Sequence, residues 1–150
     1  MLKKSLIAVL FSLVMAMVLG TNVFAAEGIE QEANQELTPE ISAALDSIEL
    51  INKNIYVEIG DVQEKSLALF TAYESSVKNV ESISEKNKLY SAYNKEINAM
   101  INELKATTRE MTKDGMKIAR EAGINTRPEL IRVEFTDRFA MIDPIVVVSW

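Results

Sequence analysis

The chain has 150 residues and a formal net charge of −6, and it contains neither cysteine nor histidine. It therefore cannot form a disulfide, it lacks the usual ligands of zinc, copper and iron, and it cannot use Ser-His or Cys-His nucleophile chemistry. The acidic balance argues against nucleic acid and anionic lipid as partners, since both are bound by clustered lysine and arginine. We expect no catalytic residue, no metal and no cofactor.

Residues 1–25 have the three parts of a cleavable secretory signal peptide. A short positive segment with Lys3 and Lys4 precedes an uncharged apolar run over 6–19, and Val-Phe-Ala at 23–25 offers signal peptidase its small residues. The alternative is an uncleaved membrane anchor. It is disfavoured because a run of about 14 residues is shorter than the roughly 20 that span a bilayer.

Cleavage after Ala25 is the first choice and cleavage after Ala26 the second. Loss of residues 1–25 removes two lysines and no acid, which leaves 14 basic and 22 acidic residues and a net charge of −8. No cysteine follows the apolar run, so lipoprotein anchoring is excluded, and no second apolar stretch has the length of a membrane span. We expect a secreted bacterial envelope protein, extracellular or, if the source has an outer membrane, periplasmic.

Residues 26–37 are acidic and poor in apolar side chains, which is typical of a flexible lead-in. Thr38-Pro39-Glu40 then has the features of a helix start, with Thr as N-cap, Pro at the first position and an acid in the first turn. Apolar residues recur every seven positions and predict one helix over 39–80. The main row is Ile41, Ile48, Ile55, Val62 and Leu69, and the companion row is Leu45, Asn52, Ile59, Ser66, Tyr73 and Val80.

The repeat is interrupted near Glu81, and either Ser82 or Ser84 can cap the next helix. A second repeat predicts a helix over 84–122, and Gly123 is a natural C-terminal stop. Its main row is Tyr90, Ile97, Leu104, Met111 and Ile118, and its companion row is Asn94, Ile101, Thr108, Gly115 and Ala122.

Two long helices joined by a short turn should fold back on each other, so residues 38–123 are predicted to form a coiled-coil-like antiparallel two-helix hairpin. A single register aligns the two repeats, with Ile59 opposite Leu104 and Tyr73 opposite Tyr90. Four polar residues interrupt the seam, so we expect a third element or a second copy of the chain to cover part of it. These four are Asn52, Ser66, Asn94 and Thr108.

Residues 124–150 change to a strand-like pattern and complete a mainly α fold with a small C-terminal β-hairpin. Arg127-Pro128 is interpreted as a helix break, and 130–135 and 138–142 as strands around a two-residue turn. Asp143-Pro144 marks a bend before a further extended segment. We expect this hairpin to pack near Thr38 and Ala122, where it would cap the open end of the helical hairpin.

Three groups of residues are candidates for interaction. Leu67, Phe70 and Val77 form an extra apolar strip on the first helix. Asp137, Arg138 and Asp143 could form a carboxylate–guanidinium site, although the favoured interpretation is that Asp137 serves the turn and Asp143 the bend. The segment from Ile145 to Trp150 is an apolar strand that must be covered or must pair with another strand.

The preferred hypothesis is an exported, non-enzymatic interaction or structural module that binds a protein partner. The alternative is a self-associating cell-surface or matrix component that uses the apolar strip or the segment from Ile145 to Trp150. A hydrolase built on Asp137 and Asp143 is the least favoured hypothesis, since a helical hairpin offers no obvious cleft for a carboxylate pair.

Overall fold

The computed structural model describes residues 37–150. The predicted signal peptide and residues 26–36 of the predicted lead-in lie outside the described residues. Helix α1 spans Pro39–Lys78 and helix α2 spans Ile83–Glu121, and these two long helices pack together. They are followed by four short strands, which are β1 (Asn125–Pro128), β2 (Ile131–Glu134), β3 (Phe139–Ile142) and β4 (Ile145–Ser149). The predicted fold class is confirmed.

The helices begin where local side-chain chemistry favours it. The Thr38 hydroxyl accepts a hydrogen bond from the backbone N–H of Ile41 at 3.2 Å, with Pro39 in the first turn. The Ser82 hydroxyl accepts one from the backbone N–H of Glu85 at 3.5 Å, so Ser82 is the cap of α2. The predicted helix limits agree with the structure to within two residues.

Helix α2 ends in a Schellman motif centred on Gly123, which has a φ of 78°. The Gly123 N–H donates to the Arg120 carbonyl at 3.1 Å, and the Ile124 N–H donates to the Ala119 carbonyl at 2.8 Å. A side chain at position 123 would be strained at this φ, whereas glycine is not. The motif turns the chain back toward the helices and buries Ile124 against Ala119.

The strands form one long bent antiparallel hairpin, called the ribbon below. β2 pairs with β3, and β1 pairs with β4. The Glu129 N–H donates to the Pro144 carbonyl at 2.9 Å between the two pairs. The Phe135 N–H donates to the Arg138 carbonyl at 2.7 Å, which closes the predicted two-residue turn.

Strand β1 differs from the sequence-based interpretation, which treated Arg127-Pro128 as a break alone. Asn125–Pro128 instead supplies the pairing partner of β4. Pro128 is tolerated because it is the last residue of an edge strand, where a missing N–H costs little. The segment that begins at Ile145 therefore pairs within its own chain.

The ribbon does not cap the open end of the helical hairpin, as the sequence suggested, but lies lengthwise over both helices. The Asn52 side chain bonds both backbone groups of Ile145, donating to its carbonyl at 2.8 Å and accepting from its N–H at 2.9 Å. Farther along α1, Ser66 and Thr136 share a hydroxyl–hydroxyl hydrogen bond of 3.2 Å. The prediction was wrong because the inward-facing residues of the ribbon are apolar, and they become buried only by packing into the groove between the helices.

The core lies where the ribbon, α1 and α2 meet. Its larger cluster is closed by ribbon residues such as Val133, Phe135 and Ile142, and its smaller one by Ile124 and Ile145. Because the ribbon widens the buried face of each helix, side chains outside the predicted rows are buried as well, and these are Ala44, Tyr93, Thr112 and Ala119. Neither helix described here has an apolar stretch long enough to cross a bilayer.

Candidate interaction surface

The helices extend beyond the end of the ribbon. The ribbon turn reaches Ser66 on α1 and Asn94 and Asn98 on α2. Residues 67–92 continue past this point as two helices joined by a short turn, and we call them the overhang. At 1.5 Å per residue, the twelve residues of α1 in the overhang span about 18 Å.

The overhang carries apolar side chains on the face that the ribbon would cover if it were longer. On α1, Phe70, Tyr73 and Val77 follow Ser66 at spacings of four, seven and eleven, which places them on one helix face. On α2, Tyr90 and Ile83 precede Asn94 at spacings of four and eleven. The distal strip consists of these five residues together with the neighbouring Leu67.

The distal strip is partly open to solvent. Leu67 is 57% exposed, Tyr90 is 51% exposed and Ile83 is 76% exposed. Phe70, Tyr73 and Val77 are half-buried. Isolated exposed apolar residues are common, but several adjacent ones on a monomer usually mark an interaction surface.

An aromatic cluster forms the base of the strip. Tyr73 stacks on the buried Tyr93 with ring centroids 4.8 Å apart, and Tyr90 lies against Tyr73 at 6.2 Å. Phe70 meets the Tyr93 ring edge-on at 5.9 Å. Such pairs prefer offset or edge-on arrangements, and they hold the rings of the strip in fixed positions.

Arg138 fastens the ribbon turn to α2 beside this cluster. Its guanidinium donates to both carboxylate oxygens of Asp137 at 2.9 Å, and to the side-chain oxygens of Asn94 at 2.9 Å and Asn98 at 2.7 Å. Its charged carbon lies 5.6 Å from the centre of the Tyr93 ring. These bonds use most of the donors of Arg138, so we interpret it as a structural clamp.

The charges at the turn shift each other's pKa in the expected directions. The hydrogen bonds from Arg138 hold the pKa of Asp137 below its usual value, and the same pairing raises the pKa of Arg138. Burial raises the pKa of Tyr93 to about 12, and the neighbouring Asp137 carboxylate adds to the rise. The ion pair therefore stays charged, and Tyr93 stays neutral, throughout the physiological pH range.

The structure separates the candidate residues Asp137 and Asp143. Asp137 belongs to the turn, whereas Asp143 lies beyond β3 at the bend, where its backbone carbonyl accepts a hydrogen bond from the Thr112 hydroxyl. Six residue steps of extended chain amount to about 20 Å, well beyond the roughly 5–9.5 Å between the two carboxyls of a glycosidase. The two acids do not form a pair, because Asp137 lies in the ribbon turn and Asp143 lies at the bend before Pro144.

The remaining candidate, Trp150, lies far from the overhang. Trp150 is 45% exposed and follows β4, which pairs with the strand after α2.

On the outer face of the ribbon, the Arg132 guanidinium covers the Phe139 ring at 3.9 Å and pairs with Glu134 at 2.6 Å. Arg132 therefore shields part of the exposed apolar area of the ribbon.

Two depressions lie between the helices. One, of about 290 Å³, is lined at the open end mainly by small residues such as Ala43 and Ala122. The other, of about 200 Å³, lies near Met100. Both are smaller than the roughly 300–1,000 Å³ of typical small-molecule sites.

The sequence identified half of the distal strip and missed the rest. The sequence predicts the strip of Leu67, Phe70 and Val77, whereas its heptad rows place Tyr73 and Tyr90 in the seam and do not include Ile83. The missing signal is the length of the ribbon, since its two arms are too short to cover helices of 40 and 39 residues. Comparisons with models of known protein families, with curated proteins and with solved structures find no match to the chain.

Proposed function

We propose that this chain is an exported, non-enzymatic interaction module that presents the distal strip to a protein partner. The observation that carries the proposal is the overhang, where adjacent apolar and aromatic side chains remain exposed beyond the end of the ribbon. Aromatic residues that are held rigidly and half-buried are the type that dominates binding energy at protein interfaces.

The composition supports the same proposal. A chain without cysteine or histidine has few routes to nucleophilic or transition-metal chemistry. Arg138 and Asp137 are paired with each other, and Arg138 also bonds α2, so both residues are engaged in holding the ribbon in place. The N-terminal segment supports export of the chain to the cell envelope or beyond.

The experiment compares two leucines that are equally exposed on the same helix. Leu67 in the strip and Leu50 outside it are each 57% exposed. Variants Leu67→Glu and Leu50→Glu are immobilised in parallel with the unchanged chain and offered the envelope fraction and culture medium of the producing cell. A captured protein is then purified and titrated against all three chains.

We expect Leu67→Glu to weaken binding by at least about tenfold, because a charge in the apolar contact must be desolvated without a counter-ion. Leu50→Glu should bind as the unchanged chain does. Equal binding by all three would show that the strip is not the docking surface. Circular dichroism of each variant verifies that the helices are intact.

A further inference from the structure

The two-layer part of the molecule, in which the ribbon lies over the helix pair, ends abruptly where the overhang begins. Along residues 39–66 the groove between the helices is covered by the ribbon, and beyond Ser66 it is not. A strand layer and a helix layer each add about 10 Å of thickness. The described part of the chain therefore has a step about 10 Å high and about 18 Å long at its distal end.

A second copy of the chain is complementary in shape to this step, because it carries the same step itself. If two overhangs are placed face to face and antiparallel, the helices of each copy occupy the layer that the ribbon of the other leaves vacant. The helix turn of each copy then meets the ribbon turn of the other. A two-fold axis through the middle of the overhang relates the copies, so the same strip serves both sides of a closed interface.

The distribution of charge favours the same arrangement. On α1, residues 39–66 carry six acidic and two basic side chains, whereas residues 67–78 carry one of each, and the overhang as a whole, residues 67–92, carries three of each. Contacts between overhangs join two surfaces without net charge, and they place the acidic halves of α1 at opposite ends of the pair. Contacts through the proximal halves of α1 would instead bring like charges together.

We infer that two copies of this chain pair through their overhangs, with the distal strip of one packed against that of the other. The inference rests on the proposed function, since it names the partner of the same strip. The contact has a core of aromatic rings, with Tyr90 near its centre and Leu67 at its edge. The lysines and glutamates of the overhang form its rim.

The size of the contact determines how strong the pairing is. Two helices about 20 Å across and 18 Å long offer on the order of 400 Å² per copy, about half the area that stable complexes bury on each partner. The dimer is accordingly weak, and it forms where the chain is concentrated locally.

Sedimentation velocity of the exported chain tests the inference from low micromolar concentration up to about 1 mM, the weak end of specific association. The expected result is a reversible rise from monomer toward dimer, which Leu67→Glu and Tyr90→Glu shift at least about tenfold to higher concentration. Leu50→Glu is the matched control and should leave the curve unchanged. A strict monomer over the whole range overturns the inference, and so does a dimer that both strip variants leave intact.

Cysteine cross-linking tests the geometry, because the chain has no cysteine of its own. Asn87 lies between Ile83 and Tyr90 along α2, near the inferred axis, whereas Ser47 lies in the covered half of α1. Under mild oxidation Asn87→Cys should form a disulfide-linked dimer and Ser47→Cys should not. The reverse pattern would exclude pairing through the overhang.

The capture experiment separates the two proposals. If the chain is monomeric but a different protein binds in a Leu67-dependent way, the second-copy inference fails and the proposed function stands. If neither binding is found, both fail. If a dimer forms through the strip, the chain itself is the partner.

Discussion

The Tyr93 hydroxyl is buried beside the Asp137–Arg138 pair, close enough to feel the Asp137 carboxylate, but it makes no hydrogen bond of good geometry to any group in residues 37–150. A buried hydroxyl without a partner costs about 1–3 kcal/mol, because its bonds to water are lost and not replaced. The ring of Tyr93, by contrast, is central to the aromatic cluster. The ring and the hydroxyl therefore have opposite effects on stability.

Replacing Tyr93 by Phe should leave stability at neutral pH unchanged or raise it by about 1 kcal/mol. The folded-state pKa of about 12 lies above the ordinary value of 10.0, so the fold favours the neutral hydroxyl over the ionised one, and this contribution is complete below that ordinary value. This contribution is lost as pH rises from 10.0 toward 12. Tyr93→Phe does not lose it, so its advantage should grow over that interval.

Urea unfolding of the chain and of Tyr93→Phe at neutral pH and at about pH 11 measures both effects. Tyr73→Phe serves as the control, since Tyr73 lies in the same cluster but is only half-buried. A loss of more than about 1 kcal/mol in Tyr93→Phe at neutral pH would show that the hydroxyl has a partner after all.

Two helical glycines provide a second test at the level of single residues. A β-carbon added at Gly60 would meet nothing within 4 Å, whereas one added at Gly115 would overlap the end of the Ile145 side chain. Gly60→Ala should raise the free energy of unfolding by roughly 0.5–1 kcal/mol. Gly115→Ala should lower it by about 1–3 kcal/mol, because the buried Ile145 side chain must leave its present position in the core.

Thermal or urea unfolding of both alanine variants gives the comparison directly. The double variant Gly115→Ala with Ile145→Val should recover part of the loss, since the shorter side chain removes the overlapping carbon. Stabilisation by Gly115→Ala would mean that the Ile145 side chain can turn away from position 115 at little cost.

At the scale of elements, the ribbon has two ion pairs that differ in exposure. The pair in the Arg138 clamp is mostly buried, whereas the pair formed by Arg132 is mostly exposed. The Arg138–Asp137 pair has side chains 20% and 26% exposed, whereas the Arg132–Glu134 pair has side chains 58% and 62% exposed. Solvent screens the second pair far more than the first. Two arginines of one ribbon should therefore differ strongly in their effect on stability.

Arg138→Ala should lower the free energy of unfolding by about 2 kcal/mol or more, because it leaves Asp137, Asn94 and Asn98 without their shared donor. Arg138→Lys should recover little of this, since an ammonium cannot reproduce the forked geometry. Arg132→Ala should cost less than about 1 kcal/mol. Chemical denaturation of the three variants measures these losses in the free energy of unfolding. Equal losses for Arg138→Ala and Arg132→Ala would contradict the assignment of Arg138 as the clamp.

The helices could be predicted from sequence because their ends are marked by local chemistry. Thr38-Pro39, Ser82 and Gly123 act through backbone groups no more than five residues away. The register of the helix pair could also be predicted, since it follows from two long repeats. The contact between Tyr73 and Tyr90 confirms the predicted pairing at the distal end.

The position of the ribbon could not be predicted in the same way, because it depends on pairing between residues far apart in the chain. Asn52, Ser66 and Asn94 looked like defects in an apolar seam, yet each hydrogen-bonds the ribbon. Of the four polar seam residues, Thr108 alone bonds back to its own helix, at the Leu104 carbonyl. Regularly spaced polar residues on one row can thus indicate where another element binds.

At the scale of the whole described molecule, the layers are unequal in length, and this inequality creates the candidate surface. The ribbon buries the middle of the groove and leaves the distal helices with one neighbour instead of two. Helices in a region that the ribbon does not cover depend on each other alone for burial. The overhang is for this reason both the least supported part of the fold and the part most available to a partner.

Both ends of the described chain lie at the end of the molecule away from the overhang. Thr38 begins α1 at the open end, and β4 returns to pair with β1 directly after α2. About 40 Å of helix separates Thr38 from Leu67. A tag, a fluorophore or a surface tether attached at Leu37 or at Trp150, the two ends of the described chain, therefore leaves the overhang unobstructed, so chains immobilised there would expose their contact surface to solvent.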